Sequence, residues 1–199
     1  SLNFHLLNLP QYTAVFFNKD KNETLGDKTV RKILSHAINK QQIIDEILNA
    51  QAQLIEGPIL PGQIGHTDDF ATYPFDIEHA KTELSNLGWE LADYAIVSEE
   101  SETDETDSED EESVEEGVTV VETYPFKVRK KDDTYLEFTL TTVDQPENVA
   151  IAEMVRKDLQ QIGVKVNLRL VPADSIQREV IKPRDYEVLL YGQIIGLDP

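Results

Sequence analysis

Apolar and polar positions alternate from Leu136 to Thr141: Leu136, Phe138 and Leu140 are interleaved with Glu137, Thr139 and Thr141. That two-residue period predicts a strand with one buried face. The turn-like run Thr142-Val143-Asp144-Gln145-Pro146-Glu147-Asn148 ends it. Ile151, Met154, Val155, Leu159 and Ile162 then recur at three- and four-residue steps, which predicts an amphipathic helix. Gly163 stops that helix, being tolerant of positive φ. Val164, Val166, Leu168 and Leu170 next alternate with Lys165, Asn167 and Arg169 as a second strand. Strand, helix and strand at this spacing form a βαβ unit with parallel strands and a right-handed crossover. Ligands of open α/β sheets meet the loops at the carboxyl ends of the strands, so Thr142, Asp144, Gln145 and Asn148 are candidates to line a cleft.

Elsewhere the pattern predicts a strand over Tyr12 to Asn18, apolar enough to be buried on both faces. Asp27 can cap a helix whose Val30, Ile33, Leu34, Ala37 and Ile38 make one stripe, and Ile43, Ile44, Ile47 and Leu48 predict a second helix. Gly57 to Gly62 is interrupted by prolines and reads as an ordered loop. Asp76 caps a further helix with Ile77, Ala80, Leu84 and Leu87 on one face, closed by Gly88, and Trp89 either packs over its end or stacks on a ligand. Val118 to Val121 and Phe126 to Val128 read as a marginal hairpin. A last helix is expected over roughly 174–181, before an inner strand from Tyr186 to Ile195. The chain then stops at Asp198-Pro199, which reads as a cut end.

Charge changes the picture locally rather than globally. The net charge is −20 over 199 residues, but Ser98 to Glu116 carries twelve Asp or Glu and no base, leaving 26 acids against 18 bases elsewhere. Residues 98–117 therefore read as an acidic, disordered insertion, a solvated spacer or a lure for a cationic partner. Such a polyanion argues against nucleic acid, whose phosphates are bound by Lys and Arg. No apolar run reaches the ~20 residues of a membrane span. The amino terminus has no signal-peptide order, which leaves a mature chain, a cytosolic one or a fragment. Zero cysteines exclude a disulfide framework, thiolate zinc and a cysteine nucleophile.

The catalytic inventory is thin. His5, His36, His66 and His79 lack metal-ligand spacing. There is no nucleophile elbow, dinucleotide fingerprint or phosphate loop. No metal, no cofactor and no enzymatic activity are expected.

The run Asp27-Lys28-Thr29-Val30-Arg31-Lys32-Ile33-Leu34-Ser35-His36-Ala37-Ile38-Asn39-Lys40-Gln41-Gln42-Ile43-Ile44 resembles an element of the family 5 extracellular solute-binding proteins, the oligopeptide, dipeptide and nickel receptors of ABC importers. Glu56 to Pro61, Tyr73 to Lys81, Leu87-Gly88-Trp89, Leu136 to Val166 and Asp185 to Pro199 resemble further pieces of that pattern, in order. The resemblance implies an α/β fold like a type II periplasmic-binding-protein lobe, with a mixed, mostly parallel sheet flanked by helices. It implies that residues 1–199 form a single lobe, the second of two, with both ends near a hinge. The implied function is capture of a peptide or another small solute outside the cytoplasmic membrane, in the periplasm or at the cell surface, and delivery to an ABC permease. The first lobe and any membrane or lipid anchor would lie outside this chain. Peptide-binding members place an acid near the position of Ile195 and a tryptophan at that of Gln193, and members that hold a carboxylate use an arginine where Gln145 stands. Tyr191, Gly192 and Gln193 are then implied as main-chain and edge contacts to a peptide. The reading from another class is a freestanding interaction module whose acidic insertion recruits a cationic partner.

Overall fold

A computed structural model describes residues 11–61, 63–67, 69–100 and 118–194, with 95–100 and 118–123 described by backbone alone. Strand β1 (Gln11–Phe17) leads through a 3-10 turn into helix α1 (Lys28–Ala37). The Asp27 carboxylate accepts from Thr29 N and caps that helix, as expected. Helix α2 (Lys40–Glu46) starts on a cap not foreseen, Asn39, whose side chain accepts from Gln42 N. After the long loop, α3 (Ile77–Asn86) begins at Asp76, which accepts from His79 N. Short strand β2 (Glu90–Ala92), then β3 (Ala95–Glu100), β4 (Val118–Thr123), β5 (Val128–Lys131) and β6 (Thr134–Tyr135) follow. The predicted unit comes next as β7 (Glu137–Val143), α4 (Pro146–Gln161) and β8 (Lys165–Val171). A π-helical turn (Gln177–Ile181) and strand β9 (Val188–Ile194) end the described chain.

The main sheet runs β1-β9-β7-β8, with β7 parallel to both β8 and β9 and only β1 antiparallel. On one face α1, α3 and α4 seal a core around Leu34, Leu84, Phe138, Leu140, Val155, Leu159 and Leu190. On the other face a smaller cluster of Val143, Val171, Ile176, Val180 and Leu189 packs under the segment that holds the π-helical turn. Gly163 turns α4 into β8 at φ +85°, and a Cβ there would lie 2.6 Å from Leu91 Cδ2, so both backbone and packing require glycine. Trp89 is buried in the main core, over the end of α3.

Four expectations are corrected. The hairpin is not 118–121 with 126–128: β4 pairs antiparallel with β3 from Ala95↔Thr123 to Glu100↔Val118, while β5 pairs with β2 and β6. The partner strand was hidden because Ser98, Glu99 and Glu100 read as acidic spacer, whereas residues 101–117 lie outside the described residues. β1 is only partly buried: Val15 and Phe17 pack against the main core and Phe16 against the smaller cluster on the other face, but no residue of this edge strand is fully buried and Gln11 and Thr13 are exposed. Helix α2 ends at Glu46 rather than including Ile47 and Leu48. The last helix contracts to a single π-helical turn, since Asp174 and Ser175 belong to the turn that feeds it.

Candidate functional site: an open strand edge

The carboxyl ends of β7, β8 and β9 lie at one edge of the sheet, because the three strands are parallel. β9 pairs with β7 at Leu140↔Val188 and Thr141↔Leu189, a constant offset of 48 between partners. The Thr142 hydroxyl donates to Leu190 O at 3.0 Å, one step further along that register. There β7 ends: Asp144 N donates to Val171 O at 2.8 Å, a last rung of the β7–β8 ladder, and Gln145 N to Val143 O at 2.8 Å, closing a turn. β9 continues, still paired with β1 as far as Gln11↔Ile194. Its flank toward β7 has no strand beside it beyond Leu190, among the described residues.

Which main-chain groups face this slot follows from two bonds. Glu187 O accepts from Asn18 N at 2.8 Å, so odd-numbered residues of this stretch direct their main-chain polar groups toward β1. Leu190 O accepts from Thr142, so even-numbered residues direct theirs toward β7. Strand residues alternate in this respect. The N–H and C=O of Gly192 and Ile194 therefore point into the slot, with no β7 residue opposite. Continued past its last pair, Thr141↔Leu189, the same offset would bring Asp144 level with Gly192. A Cβ added at Gly192 would meet nothing closer than Thr13 Oγ1 at 3.4 Å, so the strand is left low and accessible there.

The seven residues singled out in the sequence all come to this edge. Thr142 is fully buried, and its hydroxyl ties β7 to β9 at the point where they part. Asp144 and Gln145 are exposed on the rim; Asn148 is half-buried in the first turn of α4. Gln145 precedes that helix without a side-chain cap bond, and Pro146 occupies its start, where a missing N–H costs nothing. Tyr191 is half-buried and its hydroxyl accepts from Gln177 Nε2 at 3.2 Å, while Gln193 Oε1 accepts from the Tyr12 hydroxyl at 3.3 Å. Tyr12 and Gln177 were missed; only the pairing of β1 with β9 and the turn after β8 bring them here.

Two polar clusters elsewhere were also missed, and both are structural. Arg129, 4% exposed, donates to Ile162 O at 2.7 Å, Trp89 O at 2.6 Å, Ser85 Oγ at 3.0 Å and Lys81 O at 3.0 Å. Lys165 Nζ lies 2.9 Å from Glu137 Oε2 and 2.8 Å from the Tyr94 hydroxyl, at the foot of the β3–β4 arm. A groove of about 600 Å³ lined by Asn22, Tyr135, Glu137, Thr139, Asn167 and Glu187 lies toward the amino end of β7, away from the slot. A second, of about 680 Å³, runs between α2 and α4. Neither includes any of the seven residues. Among the described residues, no three His, Cys, Asp or Glu side chains could hold a metal ion, and no helix is long and apolar enough to cross a membrane.

A family model described as bacterial extracellular solute-binding proteins, family 5 Middle, matches residues 7–199. The chain belongs to that family. This family 5 chain is 22% identical over 193 residues to the oligopeptide-binding protein AppA of Bacillus subtilis, covering 94% of the chain and 30% of AppA. It is 20% identical over 176 residues to the di/tripeptide-binding protein 2 of Pseudomonas aeruginosa, covering 87% and 25%. Among solved structures it resembles AppA in complex with a nonapeptide (TM-score 0.71, 20% identity, 96% of this chain and 32% of that one). It also resembles NikZ of Campylobacter jejuni in complex with Ni(L-His) (TM-score 0.68, 22% identity, 96% and 31%). The family 5 chain thus spans under a third of the length of these relatives. Its fold is type II periplasmic-binding-protein-like, a mixed, mostly parallel sheet flanked by helices.

Proposed function

We propose that this chain is one lobe, the second, of a two-lobe receptor that captures a peptide or peptide-like solute outside the cytoplasmic membrane for an ABC importer. It acts by binding and carries out no chemistry of its own. The solute lies extended in the slot, its main chain bonded to Gly192 and Ile194 as an added strand. Asp144, Gln145, Asn148, Tyr191 and Gln193 line that position, and the first lobe would close over it. The observation that carries the reading is that β9 outruns β7 with its main-chain donors and acceptors directed into open space. An edge of that kind is either covered or used. Family membership and relatives named for oligopeptide and di/tripeptide binding support peptide as the guest.

Gly192→Pro tests the reading in the receptor that contains this lobe. The substitution removes the slot-facing N–H and leaves the β1 ladder intact, because Gly192 and Thr13 form a pair without mutual bonds. Loss of one hydrogen bond and crowding by the ring should weaken the binding of alanine-based pentapeptides about tenfold, with an unchanged melting temperature. Unchanged affinity, or no peptide binding by the parent, overturns it.

A further inference from the structure

The slot has a charge character as well as a shape. Asp144 is exposed, and its carboxylate has no hydrogen bond or ion pair among the described residues. It is the first residue past the end of β7, where pairing with β9 has stopped and the open edge begins. The positive end of α4 would otherwise favour an anion there, but Glu147 already occupies the first turn and Asp144 precedes it. Across residues 11–14, 142–150, 172–180 and 190–194, the segments that bound this edge, there are four acids (Asp144, Glu147, Asp174 and Glu179) and one base, Arg178. The Arg178 guanidinium is itself engaged by Glu179 at 2.7 Å. A solute carboxylate entering the slot would meet uncompensated negative charge, whereas an ammonium or guanidinium would meet Asp144 unopposed.

We propose that Asp144 is the specificity-determining residue of the slot, and that the solute it selects carries a positive charge beside the main-chain segment paired to Gly192. The inference rests on the peptide-binding reading above. Because Asp144 is held through its main-chain bond to Val171 O, Asp144→Asn changes the charge and keeps the turn.

The test is calorimetric titration of the receptor that contains this lobe with three amidated, amino-acetylated alanine pentapeptides bearing a central lysine, norleucine or glutamate. The lysine peptide should bind tightest and the glutamate peptide weakest, with a spread of about tenfold that narrows as salt rises from about 0.02 to about 0.5 M. In Asp144→Asn the spread should fall to within about twofold, with the norleucine peptide unaffected. A spread that persists in the variant overturns the role of Asp144. Equal binding of all three by the parent, or preference for glutamate, overturns the charge class and leaves the peptide reading standing. Binding of none of the three overturns both.

Discussion

Arg129 gives the sharpest test of how this lobe is held together. The residue is 4% exposed, and its side chain donates only to neutral oxygens among the described residues: the carbonyls of Lys81, Trp89 and Ile162 and the Ser85 hydroxyl. Ser85, Trp89 and Ile162 sit at or just past the carboxyl ends of α3 and α4, where helix carbonyls lack internal donors and a cation is favoured, while Lys81 lies in the middle of α3. Burial pushes the Arg129 pKa down, yet from so high a starting value that the charge persists through the neutral range. Arg129→Met roughly keeps the volume and removes every donor. Trp89 O and Ile162 O are then buried without partners, at about 1–3 kcal/mol each, against which stands relief from burying a charge. A net loss of about 3–4 kcal/mol is expected, a large share of the ~5–15 kcal/mol typical of a domain. With a urea slope of about 2 kcal/mol/M, the unfolding midpoint should fall by about 1.5–2 M. Arg129→Lys retains the charge with fewer, differently directed donors and should lose about half as much. Urea denaturation followed by circular dichroism at pH 6 and pH 9 would read both, with the same deficit at each. A loss under about 1 kcal/mol for Arg129→Met would refute the argument that this cation satisfies two helix ends.

Two further predictions concern pH. Burial pushes the Lys165 ammonium down, but hydrogen bonds to Tyr94 and Glu137 and the charge of Glu137 outweigh it, so its folded pKa stands above the ordinary lysine value. The stabilisation is complete below the unfolded pKa and fades as pH rises through the folded one, so Lys165→Met should cost about 2 kcal/mol near neutrality and flatten the alkaline limb of a stability-pH curve. Asp158, 4% exposed, has its pKa raised by burial, an effect only partly offset by the Asn39 N–H bond and by Lys157. A raised carboxyl favours the fold at low pH and opposes it as pH climbs through the folded value; Asp158→Asn, which can still accept from Asn39 N, should gain about 1 kcal/mol at pH 7, with the gain vanishing toward pH 3 in denaturant titrations.

What the residue pattern disclosed was local and periodic. The β7-α4-β8 unit, the caps Asp27 and Asp76 and the stop at Gly163 were legible because each rests on neighbours within a turn or two of helix. Thr142, Asp144, Gln145 and Asn148 followed from one rule about strand ends, whereas Tyr191, Gly192 and Gln193 were implied by the family resemblance; the fold sets both groups at the carboxyl ends of β7 and β9. That β9 overshoots β7 was not legible, since it depends on where two strands 48 residues apart begin to pair. Nothing in the local pattern marked Arg129 or Lys165, because their partners lie 28 to 71 residues away in sequence. Strand β3 was masked by composition: glutamate is poor in strands, and only its cross-strand partner at β4 reveals it.

The arm made by β3 and β4 is joined to the body at Tyr94 and Tyr124, and Tyr124 N donates to Tyr94 O at 3.0 Å. The chain therefore comes back to within a hydrogen bond of where it departed, on a foot already braced by Tyr135, Phe126 and the Lys165 ammonium. A graft with so narrow a root can lengthen, shrink or change its charge without reshaping the trunk. Drift in the arm and selection on the open edge of β9 can proceed as separate evolutionary histories within one sequence.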